Sequence, residues 1–243
     1  MEYESVEREI NNFLRNASKE FEFYYEIINI RHFMRKVFTK DENVWSAFSD
    51  GEKADQHKFK SPKKRIQWMA GRYAGKMAFV KMAAVNDTGS DFKKIDLKQI
   101  RILNGLNSAP YIEGYPGLNI SISHSYPYCV AVVSQRRIGV DIENTISEIK
   151  SLLGFYYTEN EIKELNKLYY PGNDDKACEV NCLATLYWTR KEAVSKLYRL
   201  GMNMDFHEID TVYNIIKINN IEKVRTVSIQ NRYCSLSLAF VES

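Results

Sequence analysis

The sequence predicts an α+β chain: a pseudo-dimer of two similar lobes, each a long helix packed on a small antiparallel sheet. Three observations carry that expectation. The first is an uninterrupted amphipathic helix around Tyr187-Trp188-Thr189-Arg190-Lys191-Glu192-Ala193-Val194-Ser195-Lys196, free of Gly and Pro. The second is a set of short apolar runs separated by turn residues, at 119–142 and again at 209–241, as in an antiparallel meander. The third is an internal echo. Lys76-Met77-Ala78-Phe79-Val80-Lys81 aligns with Lys191-Glu192-Ala193-Val194-Ser195-Lys196 at an offset of 115, and Tyr128-Cys129 with Tyr233-Cys234 at an offset of 105. The expected lobes are residues 1–136, with a helical extension over about the first 50, and residues 137–243, which carry the acidic residues of interest.

In chain order, residues 1–40 read as helical, with Ile10, Leu14, Phe21, Tyr24, Ile27 and Ile28 among the apolar positions, and Asp50-Gly51 breaks that region. Lys58 to Arg65 is a basic cluster. It suits either a solvated helix start or a contact to phosphate or a partner. Ser61-Pro62 fits an N-cap and first helical position, and the helix that follows carries Gly71 and Gly75. Four residues apart, these glycines make a flat face that a backbone or a ligand can approach closely. Ile100 to Leu103 reads as a strand before an Asn104-Gly105 turn. Asn119 to Val133 reads as strand, polar turn carrying His124, and strand, with a further strand over Ile138 to Ile142. Thr158-x-x-Glu161 is a capping box, which makes Glu161 structural. Its helix is expected to end at the Pro171-Gly172-Asn173-Asp174 turn, and Gly201 to end the central helix. Ile209 to Ile216, Val224 to Ile229 and Tyr233 to Val241 read as closing strands.

Composition narrows the classes. At 243 residues the chain can bury a sizeable core, and 44% hydrophobic with 27% charged residues is ordinary globular usage. A net charge of +3 gives no reason to expect nucleic acid as a partner. No stretch has the length and apolarity of a signal peptide or a membrane span, so no membrane partner and a cytoplasmic location are expected. Cys129, Cys178, Cys182 and Cys234 form no metal-binding pattern and read as incidental thiols.

The chemistry gathers at two places. Asp141 and Glu143, two apart on a strand, leave one face, while Val140 and Ile142 leave the other. Two carboxylates that close repel unless a proton or cation neutralises them, or unless water screens an exposed polar face. Trp188, Glu192 and Lys196 form one helical stripe, which is either a surface ion pair or part of the same site. Asp141, Glu143 and Glu192 together offer hard oxygen ligands suited to Mg²⁺ bound with substrate phosphates. Lys191, Lys196, Arg72 and His124 supply positive charge or donors for an anionic ligand.

Asn-Ile-Ser-Ile-Ser-His-Ser at 119–125, Gly-Val-Asp-Ile-Glu at 139–143 and Trp-Thr-Arg-Lys-Glu-Ala-Val-Ser-Lys at 188–196 stand in an order and spacing that resembles the signature motifs of the 4′-phosphopantetheinyl transferases of the surfactin-synthetase-activator (Sfp) type. Ala70 to Lys76 also resembles that family's first long helix, and the likeness runs from about residue 60 to the C-terminus. The resemblance implies a Mg²⁺-dependent enzyme. It would move the 4′-phosphopantetheine arm of coenzyme A to a serine of an apo acyl or peptidyl carrier protein and release 3′,5′-ADP. It assigns Asp141, Glu143 and Glu192 to the metal, and Asp141, Glu192 and Lys196 to catalysis. Arg72, Ser108, Ser123, His124, Lys191 and Lys196 go to coenzyme A. The proton acceptor stays open between Glu192 and a metal-bound water. One departure stands out: where the family carries a Gly-Lys-Pro loop, this chain has Asn107-Ser108-Ala109-Pro110, with no lysine. Both lobes lie in one chain, so a monomer is expected. The competing reading is a non-catalytic module that binds coenzyme A or a carrier protein.

Overall fold

The computed structural model describes residues 2–86, 95–147, 149, 152–168, 174–218 and 222–242. The Pro171-Gly172-Asn173 part of the expected surface turn lies outside them. The chain divides into two compact units, residues 16–136 and residues 1–15 with 137–243.

Helix α1 (Glu2–Phe21) opens the chain. The helical reading of residues 1–40 then fails at β1 (Tyr24–Asn29), which pairs antiparallel with a strand a hundred residues on. Glu22 takes a left-handed φ of 55°, which ends the helix, and Tyr24, Tyr25, Ile27 and Ile28 are aromatic or β-branched. Short helices α2 (Ile30–Phe38), α3 (Glu42–Trp45) and α4 (Asp50–Asp55) lead to the long α5 (Pro62–Asn86). After the β2 (Ile102–Asn104) and β3 (Pro110–Ile112) hairpin come β4 (Asn119–Ser125) and β5 (Tyr128–Ser134). The sheet order is β1-β5-β4, and β5, in the middle, is buried along its whole length. The glycine face of α5 meets β4 of this sheet and β2 of the hairpin. A Cβ on Gly75 would lie 2.5 Å from Ile102 Cδ1 and 2.9 Å from Ile120 Cδ1, and one on Gly71 would lie 3.2 Å from Ile122 Cγ2.

In the second unit, β6 (Ile138–Asn144) is followed by α6 (Leu153–Tyr156), α7 (Glu159–Leu168) and the long α8 (Asp174–Leu197). Then come β7 (Ile215–Ile218), β8 (Glu222–Gln230) and β9 (Cys234–Val241), in the order β6-β9-β8-β7. The expected strand over 209–216 shrinks to β7. Ile209 and Thr211 are instead spent on core packing and side-chain hydrogen bonds. The second unit repeats the first unit's order of strand, long helix and antiparallel hairpin. In each, the first strand pairs with the second strand of the hairpin.

The two long helices are anchored by the same device. Lys191 on α8 has no exposed surface. Its ammonium donates to Phe206 O at 2.6 Å and to Ile209 O, and lies 2.9 Å from Glu161 Oε2. Glu161 also accepts from the Thr158 amide at 2.8 Å, completing the expected capping box, and from the Thr211 hydroxyl at 2.6 Å. In the first unit, Lys76 on α5 is equally buried. It donates to Ala47 O at 2.8 Å and to Glu52 Oε2 at 2.6 Å, and Glu52 belongs to the capping box of Ser49. Burial pushes both lysines below the ordinary lysine range, and the partner carboxylates pull them part of the way back. Removing one member of such a pair leaves the other as an uncompensated buried charge. Lys191→Ala should therefore cost about 3–5 kcal/mol, read as a lower urea midpoint. A double-mutant cycle with Glu161→Gln should show strong coupling. An Ala variant as stable as the wild type would remove the pair from the fold's support.

Candidate active site

Asp141 and Glu143 share a face of β6 with Gly139, and α8 crosses that face. The approach is close because Gly139 has no side chain: a Cβ there would lie 1.9 Å from Ala193 O and 2.7 Å from Leu197 N. Across the ladder, Gly139, Asp141 and Glu143 stand opposite Ala239, Ser237 and Ser235, all small. Thr189 of α8 bonds both serine hydroxyls, at 3.0 Å to Ser235 and 2.9 Å to Ser237. That contact fixes the helix along the strand and brings Lys196 Nζ to 2.6 Å from Asp141 Oδ1.

Asp141 is 2% exposed, while the Lys196 side chain keeps about a quarter of its surface, at 26%. Burial alone would lower the Lys196 ammonium, but Asp141, Glu192 and Glu143 outweigh it and hold the group above the ordinary lysine value. Glu192, one helical turn before Lys196, is pushed up. Burial is the main cause, Lys196 opposes it and Asp141 adds to it. These four groups form one electrostatic cluster. Among the described residues, no three carboxylate, imidazole or thiol groups converge into a preformed metal cage. The lysine ammonium is the cation that balances Asp141.

Lys191 is not part of this cluster. It is buried, and its hydrogen bonds run to Phe206, Ile209 and Glu161, so it offers no donor to a ligand phosphate. Adjacent residues on a helix point about 100° apart, which sends Lys191 into the core while Glu192 faces the cluster.

Arg72 defines a second place, in the first unit. It lines a pocket of about 260 Å³ with Trp68, Lys58, Phe59, Arg101 and Asn104. Its guanidinium lies 5.3 Å from the Trp68 ring centre, and Nη2 donates to Asn104 Oδ1 at 2.7 Å. The residue is 7% exposed, and its Nε has no hydrogen-bond partner among the described residues. Burial lowers its pKa, with Glu52 and Asp55 opposing, yet a guanidinium stays charged. A buried cation with an unused N–H on a pocket wall suits an anionic group. From the basic cluster, Lys58 is paired with Asp55 at 2.6 Å, and Arg65 donates to Phe59 O at 3.3 Å. Sequence reasoning missed Trp68, Arg101 and Asn104 as neighbours of Arg72. Asn104 carried a signal only as a turn residue.

The other coenzyme A candidates divide. His124 lies within β4 and not in a turn, which falls at Tyr126-Pro127, and it is exposed. Alternation puts it on the face of Ile120 and Ile122, which carries α5. Gly75 abuts Ile120 and Gly71 abuts Ile122, so His124 lies further along, towards the first turns of α5, as Arg72's neighbour Trp68 does. Ser123 is 5% exposed and points to the opposite face, so the two side chains are not presented together. Ser108 is exposed in the β2–β3 turn, where Asn107 and Ser108 both take left-handed φ values, 54° and 61°.

This is an α+β fold whose second unit holds a carboxylate–lysine cluster between a strand and a long helix. Residues 137–233, which contain the whole cluster, match the 4′-phosphopantetheinyl transferase superfamily. The chain is 36% identical over 85 residues to the holo-[acyl-carrier-protein] synthase of Oceanobacillus iheyensis, covering 32% of this chain and 67% of that one. It is 32% identical over 104 residues to that of Staphylococcus haemolyticus, covering 41% and 83%. Among solved structures it is similar to a holo-(acyl-carrier-protein) synthase from Bacillus anthracis in complex with CoA (3′,5′-ADP), at 23% identity and a TM-score of 0.37, covering 46% of this chain and 91% of that one. The chain belongs to the 4′-phosphopantetheinyl transferase superfamily.

Gly139→Ala tests the geometry of the cluster. The added methyl meets backbone, which cannot swing aside, so α8 must lift from β6. The cost should exceed the ~1–3 kcal/mol typical of overpacking. A variant of wild-type stability would show that the helix does not rest on that strand.

Proposed function

We propose that this protein transfers the 4′-phosphopantetheine arm of coenzyme A to a serine of an apo acyl or peptidyl carrier protein, releasing 3′,5′-ADP. The observation that carries the reading is the Asp141–Lys196 pair, with Glu192 and Glu143 beside it, inside the segment that matches the transferase family. The two-unit chain favours the Sfp type within the superfamily: the relatives' likeness spans 67% and 83% of their own length but only 32% and 41% of this one. A monomer goes with that type.

In the reaction the serine oxygen attacks the phosphorus on the pantetheine side of the pyrophosphate. The bond from that phosphorus to the bridging oxygen breaks, and the electron pair leaves on 3′,5′-ADP. Lys196 would stabilise the charge that develops on the leaving phosphate. Glu192 and a water held at the cluster are the two candidates to accept the serine proton. Arg72, with Trp68 beside it, and His124 are assigned to the nucleotide phosphates. Ser108 and Ser123 remain candidates for backbone contact to the ligand.

The carboxylates fit a hard cation. Carboxylate oxygens are hard donors, and Mg²⁺ usually takes one or two of them together with substrate phosphates. Asp141, Glu143 and Glu192 would hold it, and when bound it would neutralise pyrophosphate charge.

Mass spectrometry of an apo carrier protein incubated with the enzyme, coenzyme A and Mg²⁺ should show a gain of one phosphopantetheine arm. Failure across acyl and peptidyl carriers, with coenzyme A still bound, would favour a binding module instead. Asp141→Asn and Lys196→Ala should each lower kcat by about 100-fold or more. Arg72→Ala should mainly raise the KM for coenzyme A, by about tenfold to 100-fold. An unchanged KM in that variant would leave Arg72 as the structural partner of Asn104.

A further inference from the structure

We propose that the first unit carries a second ligand pocket, a metal-independent site for a nucleotide, at the position that duplicates the carboxylate–lysine cluster. The ligand class rests on the reading that the cluster of the second unit handles a nucleotide pyrophosphate. The location rests on strand register. Asp141 pairs with Ser237 across β6 and β9, while Tyr25 pairs with Val132 across β1 and β5. Ser237 and Val132 are related by the 105-residue offset of the Tyr-Cys pairs, so Tyr25 occupies the place of Asp141. By the same register Ile27 stands for Glu143 and Phe23 for Gly139, and the helix alignment puts Met77 for Glu192 and Lys81 for Lys196. All three acidic ligands are replaced, whereas the lysine is kept.

The Gly139 exchange has a geometric result. In the second unit the missing side chain lets the helix close onto the strand. In the first unit the buried Phe23 ring stands there, and a pocket of about 670 Å³ opens, lined by Phe23, Tyr24, Tyr25 and, from α5, Lys81, Met82 and Val85. Lys19 and Arg136 complete its rim. Lys81 reaches the residue that stands for Asp141: Nζ donates to Tyr25 O at 3.0 Å, lies 2.8 Å from Glu26 and sits 5.4 Å from the Tyr25 ring centre. Three cations stand against Glu22 of the wall and Glu26, which Lys81 already engages.

Cations that bind phosphate, beside the part-exposed rings of Tyr24 and Tyr25, suit a nucleotide. The volume falls within the range of about 300–1,000 Å³ usual for small-molecule sites. Tyr25, Ile27 and Met77 cannot supply a hard oxygen cage, so the site should bind without a divalent ion.

Calorimetric titration of the full chain with 3′,5′-ADP in excess chelator tests the proposal, using Arg72→Ala to weaken the pocket described above. A saturable site with about one equivalent per chain is expected in that variant. Adding Lys81→Met and Arg136→Ala should weaken it at least tenfold. The same two substitutions in the wild-type background should leave phosphopantetheine transfer unchanged, because neither residue belongs to the Asp141 cluster. An isotherm indifferent to both substitutions, or no binding by Arg72→Ala up to millimolar nucleotide, would overturn the second pocket. No transfer by the unsubstituted protein, with the isotherm of Arg72→Ala and its weakening by the two further substitutions intact, would instead overturn the transferase reading and leave the pocket standing.

Discussion

A lysine ammonium can be taken out of water only where a carboxylate and carbonyls take the place of its hydration. Lys76 and Lys191 both meet that condition, and the architecture is arranged around doing so. In each unit the long helix donates its buried lysine to a glutamate that is already committed to a capping box, and to carbonyls of a connecting segment. One carboxylate therefore starts a short helix and anchors a long one, and Glu161 also ties in the segment at Thr211. Because the helix is held this way, its remaining face is free to be set against the sheet.

The two units then part company. Beside the shared buried pair, the second unit places Lys196 against Asp141, with Glu192 and Glu143 near enough to shift its proton affinity. The first unit places Lys81 against a backbone carbonyl, Glu26 and a tyrosine ring. The interaction that holds the fold is repeated, whereas the one suited to reaction chemistry appears once. That difference lies in residues of one strand and one helix, within the strand, long helix and hairpin order that both units share.

Much of the second unit was legible in the sequence, because its signals are local. Alternation over residues 138–143 placed Asp141 and Glu143 on one face, and Thr158-x-x-Glu161 declared its capping box. The equivalent Ser49-x-x-Glu52 box carries the same local signal. What stayed hidden depends on distant partners. Lys191 looked like a phosphate ligand because its neighbour Glu192 is part of the cluster, and nothing nearby in sequence reveals Glu161. Strand β1 is hidden for a similar reason: its partner β5 lies a hundred residues away, and its apolar residues also satisfy a helical pattern. His124 and Ser123 read as one motif, but a strand sends neighbours to opposite faces.

The hydroxyls of Ser235 and Ser237 have a mechanical consequence. A helix on an aliphatic sheet can creep along its groove at little cost, since one methyl contact replaces another. Here Thr189 is seated between two oxygens, in the manner of a pawl in a ratchet. Sliding α8 by a single residue would break both hydroxyl contacts and carry Lys196 about 1.5 Å along its axis, away from the Asp141 oxygen. The spacing between ammonium and carboxylate is thus indexed two turns upstream, by three side chains that carry no charge.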